Sequence, residues 1–222
     1  MVTGAAGTMG RAVVKALAAD GLKVVGLDVK PAPDCVVCDI SDAEAVRKAM
    51  RGIGRVDVLV NNAGILSNNK SQATTPEEWR RVLAANLDGA FYLSRAVIPG
   101  MKQRRWGRIV NTCSLAAKTG GLTAGTAYST SKGALTSLTF SLARELAPFG
   151  VTVNGISPAY VKTPMVTRQL NAAQRKAVLA QIPVGRFCEP EEFAHVVRFL
   201  VHPLAGFITG EIVDLNGGVI MD

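Results

Sequence analysis

Seven short apolar segments, separated by longer amphipathic stretches, constrain this chain more than any other feature. The apolar segments fall near residues 1–3, 23–28, 36–39, 56–60, 108–111, 151–156 and 212–215. They are rich in Val, Ile and Leu, the signature of strands buried on both faces of a parallel sheet. Helical periodicity occupies residues 10–19, 43–50, 76–101, 128–147, 172–180 and 190–201. At Thr75-Pro76-Glu77-Glu78 a capping threonine, a proline at the first helical position and a glutamate three residues after the cap mark a helix start. The helix from Tyr128 carries Leu135, Leu138, Leu142 and Leu146 as an apolar stripe and stops at Pro148 and Gly150. Strand and helix alternate, so the expected architecture is a parallel sheet covered on both faces.

One connection breaks the pattern. Too few residues lie between Asp28 and Val36 for a crossover helix, which needs about 10–12 residues in all, and a tight turn cannot join parallel neighbours. Either an extended segment through Pro31 and Pro33 crosses over, or these two strands are not neighbours as drawn. The first strand is also short, with only Met1 and Val2 before the Thr3-Gly4 turn.

Thr3-Gly4-Ala5-Ala6-Gly7-Thr8-Met9-Gly10 sits between the first strand and a helix with Val13, Val14 and Leu17 as apolar positions. Glycines there permit a tight turn and let the backbone approach a pyrophosphate at the positive end of a helix. Together with the strand–helix alternation, this points to one Rossmann-like doubly wound domain over residues 1–222. Its seven-stranded parallel sheet would lack the crossover helix between strands 2 and 3. Gly4, Gly7, Thr8, Met9 and Gly10 are the candidate phosphate cradle. Asp28 closes the second strand eighteen residues after Gly10, where a carboxylate accepts hydrogen bonds from ribose hydroxyls and repels a 2′-phosphate. That favours NAD(H) over NADP(H), with the nearby Lys30 acting against the preference. Asp39 and Ile40 follow the third strand and Asn62, Ala63 and Gly64 the fourth, so both sets would line the same crevice at the carboxyl ends of the strands.

Tyr128 and Lys132 are four residues apart on a predicted helix and therefore share one face. An ammonium beside a phenol favours the phenolate, so Lys132 is expected to lower the Tyr128 pKa. That makes Tyr128 a proton donor or acceptor for a carbonyl or an alcohol.

Composition narrows the class. With 48% hydrophobic and 19% charged residues the chain reads as ordered and globular. No apolar run approaches the roughly 18 residues of a membrane span. The first motif begins at the first residues, which leaves no room for a leader and makes a cytoplasmic location the expectation. The net charge of +8 is spread along the chain apart from Lys102, Arg104, Arg105 and Arg108, and aromatic residues are only 5%, so no nucleic-acid platform is expected. The charge reads better as a bias towards anionic substrates or carriers. Cys35-x-x-Cys38 lies in a strand-like segment and no second Cys or His pair answers it, so no metal site is expected. His195 and His202 read as a helix-surface and a loop residue.

Taken together these residues resemble the short-chain dehydrogenase/reductase family. Thr3–Gly10, Asp39, Asn61–Gly64, Asn86, Ser114, Tyr128–Lys132, Ser157-Pro158-Ala159, Thr163 and Asn216-Gly217-Gly218 carry the likeness in order and spacing. Within the family the chain is most similar to the 3-oxoacyl-[acyl-carrier-protein] reductases, through 174–186 and 210–218. It departs from the family's usual turn by having Thr8 at the middle glycine and an extra Gly7, which raises the question of how closely a pyrophosphate can approach. Ala159 stands where glycine usually follows Ser-Pro, and Ser114 is one residue farther from Tyr128 than usual.

The resemblance implies a catalytic set of Asn86, Ser114, Tyr128 and Lys132. Tyr128 would exchange the proton and Ser114 would steady the substrate oxygen. Lys132 would also hold the nicotinamide ribose, and Asn86 would hold a relay water. Pro158, Ala159, Val161 and Thr163 would bind the nicotinamide carboxamide, Tyr128 and Lys132 would touch the cofactor, and 164–186 would form a substrate lid. Arg168 and the Arg104–Arg105–Arg108 cluster would meet an acidic carrier or a CoA phosphate. A homotetramer or homodimer would form through helices 76–101 and 128–147. The function expected is hydride transfer between a nicotinamide cofactor and a carbonyl or secondary alcohol, in the first instance a 3-oxoacyl thioester. A dehydrogenase of a small alcohol, diol or sugar is the second reading, and a non-catalytic dinucleotide sensor or scaffold the third.

Overall fold

The computed structural model describes residues 1–164 and 171–221. Seven strands form one all-parallel sheet in the order β3-β2-β1-β4-β5-β6-β7. They are β1 (Val2–Thr3), β2 (Gly26–Asp28), β3 (Cys35–Val37), β4 (Val58–Asn61), β5 (Gly107–Thr112), β6 (Val151–Pro158) and β7 (Ile212–Leu215). The order reverses between β1 and β4, the switch point where open α/β sheets leave a crevice at the carboxyl ends of their strands.

Side chains alternate across the sheet, and each face builds its own core. Along β4, Val58 and Val60 pack on one face and Leu59 on the other. The first face is covered by α1 (Thr8–Ala19) and the helix Pro190–Val201, which bring Val13, Leu17, Phe193, Val197 and Leu200 onto Val2, Val110 and Ile156. The opposite face is covered by α2 (Ala43–Ile53), α4 (Gly89–Arg104) and α6 (Thr126–Leu146). There Val46, Leu93, Met101, Leu142 and Leu146 meet Leu27, Leu59, Ile109 and Val153. The expected leucine stripe is thus in place, with Leu138 partly buried beside it. Asp42 caps α2 by accepting from Glu44 N at 2.8 Å, and Thr75 caps α3 (Pro76–Leu83) by accepting from Glu78 N at 3.2 Å.

Two connections refine the sequence reading. β2 and β3 are parallel neighbours with Gly26 opposite Cys35 and Asp28 opposite Val37, so the extended segment through Pro31 and Pro33 does cross over. Asp34 turns the chain at φ 56°, and the Gly26 N–H donates to its carbonyl at 3.1 Å. The absent helix leaves Val36 and Val37 exposed on the edge strand. The stretch predicted as one helix from 76 to 101 is helical throughout, but a π turn, Ala84–Asp88, separates α3 from α4. π turns inside helices recur at functional sites, and Asn86 lies in this one. Among the described residues no helix is long and apolar enough to cross a membrane.

Candidate active site

The cofactor end of the crevice is built from backbone. Gly4 turns the chain at φ +64°, and a Cβ on Gly10 would lie 2.1 Å from the Gly4 carbonyl oxygen, so strand and helix meet main chain to main chain. Thr3 Oγ1 accepts from Asn62 N at 3.0 Å and Ala63 N at 2.9 Å, and Asn62 Nδ2 donates to the Thr3 carbonyl at 2.9 Å. The turns after β1 and β4 are therefore locked together, and the Asn62 amide is spent on that lock. Gly7 stands at the N-cap of α1 and offers no side chain to its first turn, so backbone N–H groups there remain available to an anion. Thr8 opens the helix half-buried. This uncapped, glycine-built helix start fits a dinucleotide pyrophosphate.

Asp28 sits at the end of β2 as expected. Its carboxylate accepts from Ala6 N at 3.0 Å and Lys30 N at 3.0 Å, tying the glycine turn to the second strand. Arg11 donates to the Ala6 carbonyl. Asp39 is exposed and accepts from the N–H and the hydroxyl of its neighbour Ser41 at 2.9 and 2.7 Å. The Ile40 side chain is buried, with Gly89 so close that a Cβ there would lie 2.7 Å from Ile40 Cδ1.

At the other end, α6 presents Tyr128 and Lys132 one turn apart while Ser114 follows β5. Met9, Asn62, Gly64, Ser114, Tyr128 and Lys132 line one cleft, whose far wall holds Pro158, Ala159, Val161 and Thr163. Ser114 Oγ accepts from Ala116 N at 3.1 Å and lies on the same cleft wall as the Tyr128 phenol. Lys132 is 3% exposed, with Nζ donating to the Thr112 carbonyl at 2.6 Å and standing 5.8 Å from the centre of the Tyr128 ring. Burial lowers the Lys132 ammonium to about 8. The structure reverses the expected lowering of the Tyr128 pKa: desolvation of the half-buried phenol pushes it up, and the nearby Ser114 hydroxyl offsets only part of that. The phenol is thus protonated at neutral pH.

Asn86 is 1% exposed and fully engaged. Its Oδ1 accepts from Ile65 N at 2.8 Å, and its Nδ2 donates to the Ile65 carbonyl and to Ser131 Oγ, both at 3.0 Å. A Cβ on Gly64 would meet Asn86 Oδ1 at 3.0 Å and Lys132 Nζ at 3.5 Å, so both side chains abut Gly64. After β6, Ala159 N donates to the Leu215 carbonyl at 3.1 Å and Val161 bridges Cys188, fixing the far wall of the cleft. Arg168, and with it residues 165–170 of the expected lid, lies outside the described residues.

The Arg104–Arg105–Arg108 cluster is not at the site. It lies at the amino end of β5, across the sheet from the cleft, because β5 begins at Gly107 and the cleft opens beyond Thr112. Arg104 pairs with Asp57 at 3.0 Å, Arg105 donates to the Pro148 carbonyl at 2.9 Å, and Arg108 is buried with its guanidinium over the Trp106 ring. These residues hold the base of the sheet, away from the cleft.

Two features have no local sequence signal. Thr3 joins the two turns through its hydroxyl. Beneath the cleft a buried polar chain runs from Asn61 to Asn111 at 2.9 Å and on to Thr139 at 2.9 Å, binding β4 and β5 to α6.

Comparison with known proteins agrees with this geometry. Residues 4–220 match a family model described as "Enoyl-(Acyl carrier protein) reductase". The chain is 39% identical over its whole length to the 3-oxoacyl-[acyl-carrier-protein] reductase FabG of Vibrio cholerae, covering 96% of that protein, and 37% identical to that of Escherichia coli, with the same coverage. Among solved structures it superposes on a 3-oxoacyl-[acyl-carrier protein] reductase with bound NAD from Brucella melitensis at a TM-score of 0.91 and 32% identity, over 100% of this chain and 90% of that one. A putative NAD(P)-dependent gluconate 5-dehydrogenase from Beutenbergia cavernae with bound NADP gives a TM-score of 0.91 and 33% identity, over 98% and 95% of the two chains. The chain belongs to the short-chain dehydrogenase/reductase family and is an NAD(P)-dependent oxidoreductase acting on carbonyl and CH–OH groups.

Proposed function

We propose that the chain reduces a 3-oxoacyl thioester with NADH, using Tyr128 as the proton donor. The observation that carries the reading is the convergence of Ser114, Tyr128 and Lys132 on one wall of the cleft that the glycine turn opens into. A bound reduced nicotinamide would supply the hydride to the substrate carbon. Tyr128 gives its proton to the carbonyl oxygen, and the Ser114 hydroxyl steadies that oxygen as charge develops. Lys132 stabilises the phenolate left behind and holds the nicotinamide ribose. Asn86 shapes the space behind Lys132 through which a relay water returns the proton. The Val161 backbone and the Thr163 hydroxyl would hold the carboxamide.

An acyl substrate is favoured by the mouth of the cleft, where Leu66, Leu115, Ala116, Leu122 and Ala124 offer apolar contact and Leu122 is 55% exposed. The relatives named as 3-oxoacyl-[acyl-carrier-protein] reductases support the same class. NADH over NADPH is supported by Asp28, whose carboxylate repels a 2′-phosphate, while Lys30 and the Arg11 guanidinium on the Ala6 carbonyl act against that preference. Assembly as a homotetramer or homodimer is supported by Phe91 on α4 and Phe140 on α6, exposed by 42% and 49%. The gluconate 5-dehydrogenase likeness keeps a small polyol as the second substrate class.

The test is reduced-nicotinamide absorbance with acetoacetyl-CoA, using NADH and NADPH in parallel. Faster oxidation of NADH supports the whole reading. Turnover with NADPH alone removes the NADH preference. NADH binding without turnover moves the substrate to a small alcohol, diol or sugar.

A further inference from the structure

The loop just before α6, residues 120–125, forms the cleft wall beside Tyr128, with Gly121, Leu122, Thr123 and Ala124 lining it. It is stitched to the segment after Gly64 by bonds from both sides. Lys70 Nζ donates to the Gly121 carbonyl at 2.8 Å and to the Ala124 carbonyl at 2.7 Å. In the same register Gly125 N donates to the Ser67 carbonyl at 2.7 Å and Thr126 N to the Asn69 carbonyl at 3.0 Å. The two backbones touch: a Cβ on Gly125 would lie 2.3 Å from the Asn69 oxygen. The Lys70 segment is itself held from α3, where Glu78 takes Ser67 Oγ on one carboxylate oxygen and Asn69 Nδ2 on the other at 2.7 Å. Those two hydrogen bonds also hold the Glu78 carboxyl below its usual range.

We infer that Lys70 is a positioning residue for substrate selection: its ammonium clamps the 120–125 wall at a set distance from Tyr128 and so fixes the width of the acyl channel. An ammonium bridging two carbonyls makes charge-assisted bonds, stronger than neutral ones and without a neutral substitute at this reach. Lys70 touches neither the glycine turn nor Asp28, so cofactor affinity should not depend on it. The inference rests on the acyl-reductase reading only for the identity of the substrate.

The test has two readouts. Deuterium exchange of the peptide spanning 119–127 is measured for the wild type, Lys70→Met and Lys70→Arg. Kinetics are then measured on acetoacetyl-CoA, or on the small polyol if only that is turned over. Lys70→Met should speed exchange at Gly125 and Thr126 about tenfold and raise KM about five- to tenfold. It should change kcat less than twofold and leave NADH affinity unchanged, and Lys70→Arg should restore most of both losses. Unchanged exchange in Lys70→Met overturns the clamp whatever the substrate. Faster exchange with an unchanged KM overturns its role in selection. Absence of wild-type turnover of acetoacetyl-CoA counts against the substrate reading alone, since the exchange measurement stands without it.

Discussion

Lys132 Nζ donates to the Thr112 carbonyl at 2.6 Å and lies 5.8 Å from the centre of the Tyr128 ring, one helical turn away. The lysine is thus anchored to the end of β5 and not to the phenol; it is buried, and Tyr128 is half-buried in the cleft wall. Burial acts on them in opposite directions, raising the phenol and lowering the ammonium to about 8. The phenol therefore holds its proton at neutral pH, the state that the proposed donor role requires. Lys132 carries its charge at neutral pH, at a cost to folding.

That cost predicts a pH dependence of stability. The ordinary lysine value is 10.5, so between pH about 8 and 10.5 the unfolded chain binds more protons than the folded one at this site. Stability from this group therefore rises with pH across that window and is lost as pH falls through about 8. The melting temperature of the wild type relative to Lys132→Met should rise from pH 8 to 10.5, by at most ~3 kcal/mol in free energy at about 1.4 kcal/mol per pH unit. A flat difference between the two proteins would show that Lys132 is not desolvated.

The glycine turn predicts a sharp steric penalty. Gly10→Ala places a Cβ 2.1 Å from the Gly4 oxygen, a main-chain atom that cannot move aside. Overpacking of this kind costs about 3 kcal/mol, or about 6–12 °C in melting temperature for a chain of this size. Thermal unfolding and NADH titration should show both stability and cofactor binding reduced. Gly133→Ala, which meets nothing within 4 Å inside α6, is the control and should leave cofactor binding unchanged and raise stability by up to about 1 kcal/mol.

Asp28 predicts a cofactor switch with an internal control. Asp28→Ala removes both the charge and the acceptor for Ala6 N, whereas Asp28→Asn keeps an oxygen for that hydrogen bond. Loss of charged hydrogen bonds costs about 1.5–3 kcal/mol, so NADH affinity should fall about 10- to 100-fold in Asp28→Ala while NADPH affinity rises. If Asp28→Asn shifts the preference as far as Asp28→Ala, charge sets it. If Asp28→Asn behaves as wild type, the hydrogen bond to Ala6 outweighs the charge. Fluorescence titration of both cofactors checks this.

Much of the fold and part of the site is readable from local pattern. The i, i+4 spacing puts Tyr128 and Lys132 on one face, and Thr75-Pro76 starts a helix where it should. The glycines of 4–10 require a turn that few other residues allow. What local pattern does not carry is the geometry set by contacts distant in sequence. The π turn at Ala84–Asp88 adds one residue to a helical repeat without disturbing its polarity, so Asn86 reads as an ordinary helical residue. Arg104, Arg105 and Arg108 cluster in sequence near a strand start, and only the direction of β5 places them away from the cleft. Lys70 reaches carbonyls 51 and 54 residues along the chain, which no spacing rule anticipates. The direction of the Tyr128 shift depends on how far the assembled cleft desolvates the phenol.

If Tyr128 donates the proton, its hydroxyl serves turnover and contributes little to cofactor affinity. The most direct test is Tyr128→Phe, which removes one hydroxyl and leaves the ring. Turnover of the wild-type substrate should fall about 10²- to 10⁴-fold, with the NADH dissociation constant changed less than threefold. Turnover within a few-fold of wild type at unchanged NADH affinity would rule out Tyr128 as the proton donor.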